Sequence, residues 1–327
     1  MDVFRKKDVI MAVNKEGGFS KAAKALHIAQ PSLSVMVSSV EQEIGAMLFD
    51  RSVSPVRPTQ IGEKYLECCE NISLIEEDFT NYLSDILGLE VKEITIGGNT
   101  LYVSNVVPRI LSEYSAKHPS MKVQIYDLDT PALIKMIQHG DLDIAIDNFP
   151  DNVEKLDKHY LGTELLLIAV PESFSINENQ KEYAYNYEDI KKGMHIAGKR
   201  PYLQNLRAFQ DQPFILLQKS FDTRKRCDAV FEDYGISVRA VYELNQLSSA
   251  FGMAASGLGI TVISDTLIRH EETRGDNMCY YAIRSPEFTR DVYFYTRKNR
   301  TITRGLQEFM NISQDLSLLT LRRGVRQ

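Results

Sequence analysis

The sequence predicts an all-α winged helix-turn-helix head, a long linker helix and an α/β body, and three observations lead there. Short helical patterns punctuated by Gly17-Gly18, Pro31 and Gly45 fill the first 58 residues. Apolar residues then recur at every seventh position as far as Leu89. Beyond Lys92, strand-like and helix-like segments alternate. A length of 327 residues suits about two or three domains, and 25% charged with 43% hydrophobic residues excludes collagen-like, disordered and low-complexity classes. The longest apolar run, Leu165–Val170, falls far short of the roughly 18 residues of a membrane span. The charged N-terminus lacks the features of a secretory signal, and four cysteines make no disulfide framework. The expected setting is the cytoplasm, with no membrane contact, no metal and no cofactor.

Charge separates the same three parts. Residues 1–58 carry a net +2, residues 59–89 a net −6 and residues 90–327 a net −2. A polyanionic partner therefore belongs to the head.

In the head, Phe4, Val9, Ile10 and Val13 line one face of a first helix that stops at Gly17-Gly18. A second opens at Ser20 as N-cap and runs through Lys21-Ala22-Ala23-Lys24-Ala25-Leu26, rich in strong helix formers. The third starts at Pro31, and Leu33, Val37, Val40 and Ile44 form its core stripe, leaving small polar residues outward. Two short helices joined tightly in this way make a helix-turn-helix unit. Residues 46–59 read as a strand, a turn and a return, a wing flanked by Arg51 and Arg57.

The runs Phe19-Ser20-Lys21-Ala22-Ala23, Leu26-His27-Ile28-Ala29-Gln30-Pro31-Ser32-Leu33-Ser34, Val40-Glu41-Gln42-Glu43-Ile44-Gly45, Leu48-Phe49-Asp50-Arg51 and Arg57-Pro58-Thr59, with Gly62, resemble the N-terminal signature of LysR-type transcriptional regulators. The resemblance implies a dimer on double-stranded DNA. Gln30, Pro31, Ser32, Ser34 and Val35 fall at positions that touch bases or backbone, and Ser20, Arg51 and Arg57 at phosphate-contacting positions, with Thr59 a further DNA-binding residue. This chain departs from the family pattern where Arg-Gln and further bases commonly follow the Leu-Ser pair; those places hold Val35, Met36, Ser38 and Ser39. A helix with no arginine for guanine favours A·T-rich sites, read by Gln30, the serines, thymine methyls and DNA shape.

Residues 59–89 carry two interleaved seven-residue series, Tyr65, Ile72, Phe79, Ile86 and Ile61, Cys68, Ile75, Tyr82, Leu89, with neither Pro nor Gly between Glu63 and Leu87. These are a and d positions of a coiled-coil helix. The resemblance makes the pairing interchain, with Tyr65, Ile72, Ile75, Phe79, Tyr82 and Ile86 as dimerising residues of a homodimer or homotetramer.

The body alternates Lys92–Gly98 (strand), Tyr102–Lys117 (helix), Lys122–Tyr126 (strand), Thr130–His139 (helix) and Leu142–Ile146 (strand), and later repeats the pattern, which argues for a mainly parallel sheet covered by helices. Gly140–Ile146, Pro213-Phe214-Ile215 and Ala254–Ile260 resemble the LysR-type effector domain. That resemblance implies two subdomains like those of periplasmic binding proteins, residues 90–163 with 268–327 and residues 164–267, closing on a small-molecule effector. Strand carboxyl ends and helix N-termini select Asn99, Thr100, Thr130 and Asn148 on one side. On the other they select Gln218, Lys219, Ser220, Phe221 and Asn245, and free N–H groups there suit an anionic effector. RNA polymerase is a further partner that the family implies.

Two alternatives stay open. The body lacks the HExxH, GxxxxGK[ST] and GxSxG patterns, and its histidines show no metal-ligand spacing. A small-molecule enzyme with a degenerate head is one remaining alternative. The other is a redox sensor built on Cys227 and Cys279, with Arg224, Lys225 and Arg226 lowering the first thiol's pKa.

Overall fold

The computed structural model describes residues 3–87, 93–270, 276–316 and 319. They form two compact units, Met1–Leu89 and Glu90–Gln327.

The first unit runs α1 (Lys7–Glu16), α2 (Phe19–Ala25), α3 (Gln30–Ile44), β1 (Phe49–Asp50), β2 (Arg57–Pro58) and α4 (Gln60–Ile86). Gly17 and Gly45, at φ of 65° and 80°, end α1 and α3 in the left-handed conformation that only glycine adopts freely. The predicted N-cap of α2 is corrected: Gly18 caps it, and Ser20 lies exposed in the first turn. Phe19 meets Phe49 edge-on at 6.1 Å, which draws the helix start forward onto the core. That core gathers Ile10, Val13, Ala22, Ala23, Leu33, Val37 and Val40 with Leu48 and Phe49 of the wing.

Glu41 locks the wing to α3. It is buried, and its Oε1 accepts the N–H groups of Leu48 at 2.9 Å and Phe49 at 3.4 Å. Its Oε2 holds Arg51 Nη2 at 2.6 Å. Thr59 caps α4, accepting from Gly62 N–H at 3.0 Å and donating to the Met47 carbonyl at 2.8 Å. A Cβ on Gly62 would lie 1.9 Å from the Leu48 carbonyl oxygen, so only glycine lets α4 pass this close to the wing.

The heptad series of α4 divides. Tyr65, Leu66 and Cys69 are buried in the head's own core, where Tyr65 stacks on Phe4 at 5.1 Å and donates to the Val3 carbonyl. Tyr65, predicted on the dimer seam, instead faces the head's own core. Ile72 is half-buried. From Ile75 onward the stripe is open: Ile75 is 67% exposed, and Phe79, Tyr82, Leu83, Ile86 and Leu87 are exposed with it.

The second unit begins β3 (Glu93–Gly98), α5 (Thr100–Asn105), α6 (Val107–Lys117), β4 (Lys122–Asp127), α7 (Thr130–His139), β5 (Ile144–Asp147) and β6 (Leu156–Pro171). It continues β7 (Ala184–Tyr185), α8 (Tyr187–Lys191), β8 (Pro213–Leu217), α9 (Asp222–Asp233), β9 (Arg239–Leu244), α10 (Leu247–Ala255), β10 (Ile260–Ser264) and α11 (Asp265–His270). It ends with β11 (Met278–Ala282), β12 (Thr289–Arg297) and α12 (Arg304–Asp315). The single helix expected over Tyr102–Lys117 is two, broken at Val106, because Pro108 lacks the N–H that would bond back to Ser104. Lys92 of the predicted first strand and Leu89 of the heptad series lie outside the described residues.

The strand order is β4-β3-β5-β12-β6-β10-β8-β9. β3 pairs in parallel with β4 and β5, and β8 with β9 and β10. The middle is antiparallel: the first part of β6 pairs with β12, and its last six residues pair with β10 and β11. The sheet is thus two parallel trios joined by a crossing strand rather than mainly parallel throughout. Because β11 completes the second half by pairing with β6 and β7, the chain stays there through Ala282 and returns by β12, not at residue 268.

Glu41→Ala leaves the Leu48 and Phe49 N–H groups and the Arg51 guanidinium without their shared acceptor. Urea unfolding is expected to show a loss of about 2–3 kcal/mol. Hydrogen exchange should show the two wing amides deprotected, while Glu41→Gln recovers most of both.

Candidate DNA-binding face and effector cleft

On α3, Leu33, Val37 and Val40 turn inward, so Gln30, Pro31, Ser32 and Val35 stand exposed, with Ser34 half-buried between them. Gln30 Nε2 donates to Ser34 Oγ at 3.0 Å, one helical turn on. Val35 is 69% exposed, and no charged side chain lies between Gln30 and Val40. Ser20, Lys21, Lys24 and Arg57 of the same head are exposed as well. Two predicted contacts also carry structural duties. Arg51 is tied to Glu41 and lies 4.8 Å over the Phe19 ring, and Thr59 caps α4.

In the second unit, the residues predicted at the first half's strand ends converge on Asp147, the last residue of β5. Its Oδ1 accepts from Asn99 Nδ2 at 3.0 Å and from the Asn148 N–H at 2.8 Å, and its Oδ2 accepts from Thr130 Oγ1 at 2.9 Å. Asp147 is fully buried, and burial pushes its carboxyl up to about 6, against the lowering effect of the Asn148 and Thr130 hydrogen bonds. Thr100 turns to Asp127 at 2.8 Å. Asn99 and Asp129 cap α5 and α7 through Leu101 N and Ala132 N, so both helix starts are partly satisfied internally.

On the second half, the Gln218 N–H donates to the Leu244 carbonyl at 2.9 Å, which sets Gln218–Phe221 beside Asn245 at the ends of neighbouring parallel strands. Gln218, Lys219, Ser220 and Asn245 are exposed and Phe221 is half-buried. Asn148 Nδ2 reaches Asp222 Oδ2 at 3.0 Å, immediately after Phe221, so the two predicted sets meet at one seam.

Sequence reading missed what holds that seam. Glu164 of β6 is fully buried and pairs with Arg290 of β12 at 2.5 Å. It also accepts from Tyr102 and Thr266, each at 2.8 Å, and from the Ser264 hydroxyl. Arg290 continues to Thr223 at 3.0 Å and Asp222 at 3.3 Å. Burial disfavours the Arg290 charge, but Glu164, Tyr102 and Asp222 together outweigh it and hold the guanidinium above the usual arginine range. Asp265 completes the seam, accepting from the Leu165 N–H at 2.9 Å and pairing with buried His195 at 2.9 Å. The available signal was a lone acid, Glu164, opening the apolar run Leu165–Val170, and Asp147 closing another.

The arrangement does not activate the cysteines. Burial drives the Cys227 thiol far up, and the lowering influence of Arg224, itself bonded to Asp228, Glu243 and the Leu217 carbonyl, does not offset it. Burial pushes Cys279 up as well. Among the described residues no acid, histidine and cysteine cluster is spaced to hold a metal, and no helix is long and apolar enough to cross a membrane.

A carboxyl raised from 3.8 to about 6 by folding binds protons more tightly in the native state, so its contribution to stability is present in acid and lost as pH rises through 6. Asp147→Asn abolishes that dependence. In urea titrations the stability difference between variant and parent should shift toward the variant by up to about 3 kcal/mol between pH 4 and 7, and be flat above.

Two family models match the chain. "Bacterial regulatory helix-turn-helix protein, lysR family" covers residues 4–63 and "LysR substrate binding domain" covers residues 88–317. An uncharacterised helix-turn-helix transcriptional regulator of Bacillus subtilis, YcgK, is 28% identical over 93% of this chain and 91% of its own. The transcriptional regulator BenM of Acinetobacter baylyi is 24% identical over 88% and 87% of the two chains. Among solved structures, a full-length OxyR variant from Pseudomonas aeruginosa superposes with a TM-score of 0.66 at 19% identity, covering 98% of this chain and 96% of that one. Full-length CbnR in complex with its target DNA gives 0.55 at 15% identity, covering 95% and 99%.

Proposed function

This chain belongs to the LysR family of transcriptional regulators, with a helix-turn-helix DNA-binding head and an effector-binding domain, and from that premise we propose how its own residues divide the work. The head binds double-stranded DNA in the cytoplasm through α3, with Gln30, Pro31, Ser32, Ser34 and Val35 at the bases and Ser20, Lys21 and Arg57 toward the phosphates. What carries this reading is the outward face of α3, left uncharged and open on a packed head that also exposes Lys21, Lys24 and Arg57. With few bases per head, affinity rests on several heads engaged together. The open stripe Ile75, Phe79, Tyr82 and Ile86 supports pairing between two copies through α4, as a homodimer or as half of a tetramer.

The effector site lies at the seam, between Asn99, Thr100, Thr130 and Asn148 on one half and Gln218–Phe221 with Asn245 on the other. Lys219 supports an anionic group on the effector's second-half side. Binding changes the angle between the halves, and with it head spacing, promoter occupancy and access of RNA polymerase. The protein works by binding rather than by turnover.

A gel-shift titration on the DNA upstream of its own gene, with nonspecific competitor at two salt concentrations, is expected to show a specific complex that weakens steeply with salt. Lys21→Ala with Arg57→Ala should weaken binding on all sequences and lower the salt slope by about one per lysine or arginine removed. A chain that shifts no DNA at low salt overturns the reading. Phe79→Asp with Ile75→Asp is expected to shift sedimentation toward the monomer, and an unchanged distribution removes α4 as the pairing element.

A further inference from the structure

We propose that the effector has two unlike ends: a hydroxyl- or ammonium-bearing end that donates hydrogen bonds to Thr100 and Thr130, and an anionic end taken by Lys219 on the other half. The inference rests on the effector-binding reading above and adds the polarity of ligand that each wall of the seam accepts.

The first half's wall is built of acceptors. A threonine hydroxyl has one proton and two lone pairs, and a carboxylate only accepts. Thr130 Oγ1 lies 2.9 Å from Asp147 Oδ2 and Thr100 Oγ1 lies 2.8 Å from Asp127 Oδ1, so each threonine gives its single proton to a neighbouring acid. Burial lifts the Asp147 carboxyl to about 6, which leaves it an anion at pH 8. What Thr100 and Thr130 then hold for a ligand is lone pairs. Asn99 and Asn148 spend an amide proton each on Asp147 and Asp222. The backbone adds little, because Asn99 takes the Leu101 N–H of α5, Asp129 takes the Ala132 N–H of α7, and Pro131 has none. A carboxylate or phosphate brought to this wall would meet lone pairs and the charges of Asp127 and Asp147. An O–H or N–H group would find acceptors already in place.

The second wall has the opposite sign. The N-caps of α9 and α10, Phe221 and Gln246, make no side-chain hydrogen bond, so no cap closes the first-turn N–H groups of either helix. Asp222, the first residue of α9, is spent on Arg226, Arg290 and Asn148. Lys219 is exposed and pairs with no acid among the described residues. Open helix starts and a lysine both favour negative charge. Hydroxy acids, amino acids and phosphorylated polyols carry this pattern of donors at one end and an anion at the other. Dicarboxylates and donorless aromatic acids carry only the second part of it.

The test is a circular-dichroism melting screen of the full-length chain at pH 8 against water-soluble metabolites, with hydroxy acids, amino acids, phosphorylated polyols, dicarboxylates and aromatic acids in equal number. Binders are expected among the first three classes. Each binder is then titrated calorimetrically beside its deoxy or desamino analogue, which should bind about tenfold more weakly, the worth of a donor lost from a buried acceptor. Thr130→Val should erase that discrimination, and Thr130→Ser should keep it. Asp147→Asn should narrow it by another route, since an amide can donate to Thr130 and turn the hydroxyl proton toward the ligand. Lys219→Gln should weaken a binder and its analogue by the same factor, leaving their ratio unchanged. Binders confined to dicarboxylates or donorless aromatic acids, an analogue that equals its parent, or discrimination that survives Thr130→Val overturns the inference alone. A screen in which no class shifts the melting curve overturns the effector-binding reading together with it.

Discussion

The effector-binding unit depends on one buried ion pair. Glu164 sits where β6 leaves one half of the sheet for the other, and Arg290 lies on β12, the strand by which the chain returns. Neither charge could remain buried without the other, and the desolvation of both is offset only because further groups complete the geometry. Tyr102 brings in α5, Ser264 and Thr266 bring in β10 and α11, and Thr223 with Asp222 brings in the start of α9. The elements that frame the seam are therefore fixed relative to a single carboxylate. A purely apolar crossing would pack as well, but would give these helices no common reference.

The same device recurs at smaller scale in the head. Glu41 gathers two wing amides and a guanidinium that would otherwise be free. The Glu41 carboxylate thus draws on one nitrogen of the Arg51 guanidinium to hold the wing.

Much of this was legible in advance. Helix ends at Gly17, Gly45 and Gly140, the start at Thr130 and the core stripe of α3 follow from local rules of spacing and backbone conformation, and the structure places them there. So do the strand-end residues Asn99, Thr130 and Asn148, since parallel strands bring their ends together. What stayed hidden depends on pairing between distant segments. That Tyr65 packs inward while Ile75 stays open cannot be read from a heptad, because both satisfy it; the difference lies in the 62-residue separation between Tyr65 and Val3. Glu164 and Arg290 are likewise far apart in the chain, and a charge in an apolar run names no partner. The return through β12 rather than at residue 268 was invisible because β11 is indistinguishable in composition from a strand of either half.

The burial of Tyr65, Leu66 and Cys69 in the head makes the first turns of α4 part of the DNA-binding body. No hinge separates the recognition helix from the shaft that follows it. The shaft from Cys69 to Ile86 then works as a gauge of about 25 Å, fixed in length and in angular phase. One residue added to it would turn the head by about 100° about the shaft and carry α3 from one side of a DNA helix toward another. Were two copies to pair through α4 as proposed, operator spacing would be written into the residue count of a single helix.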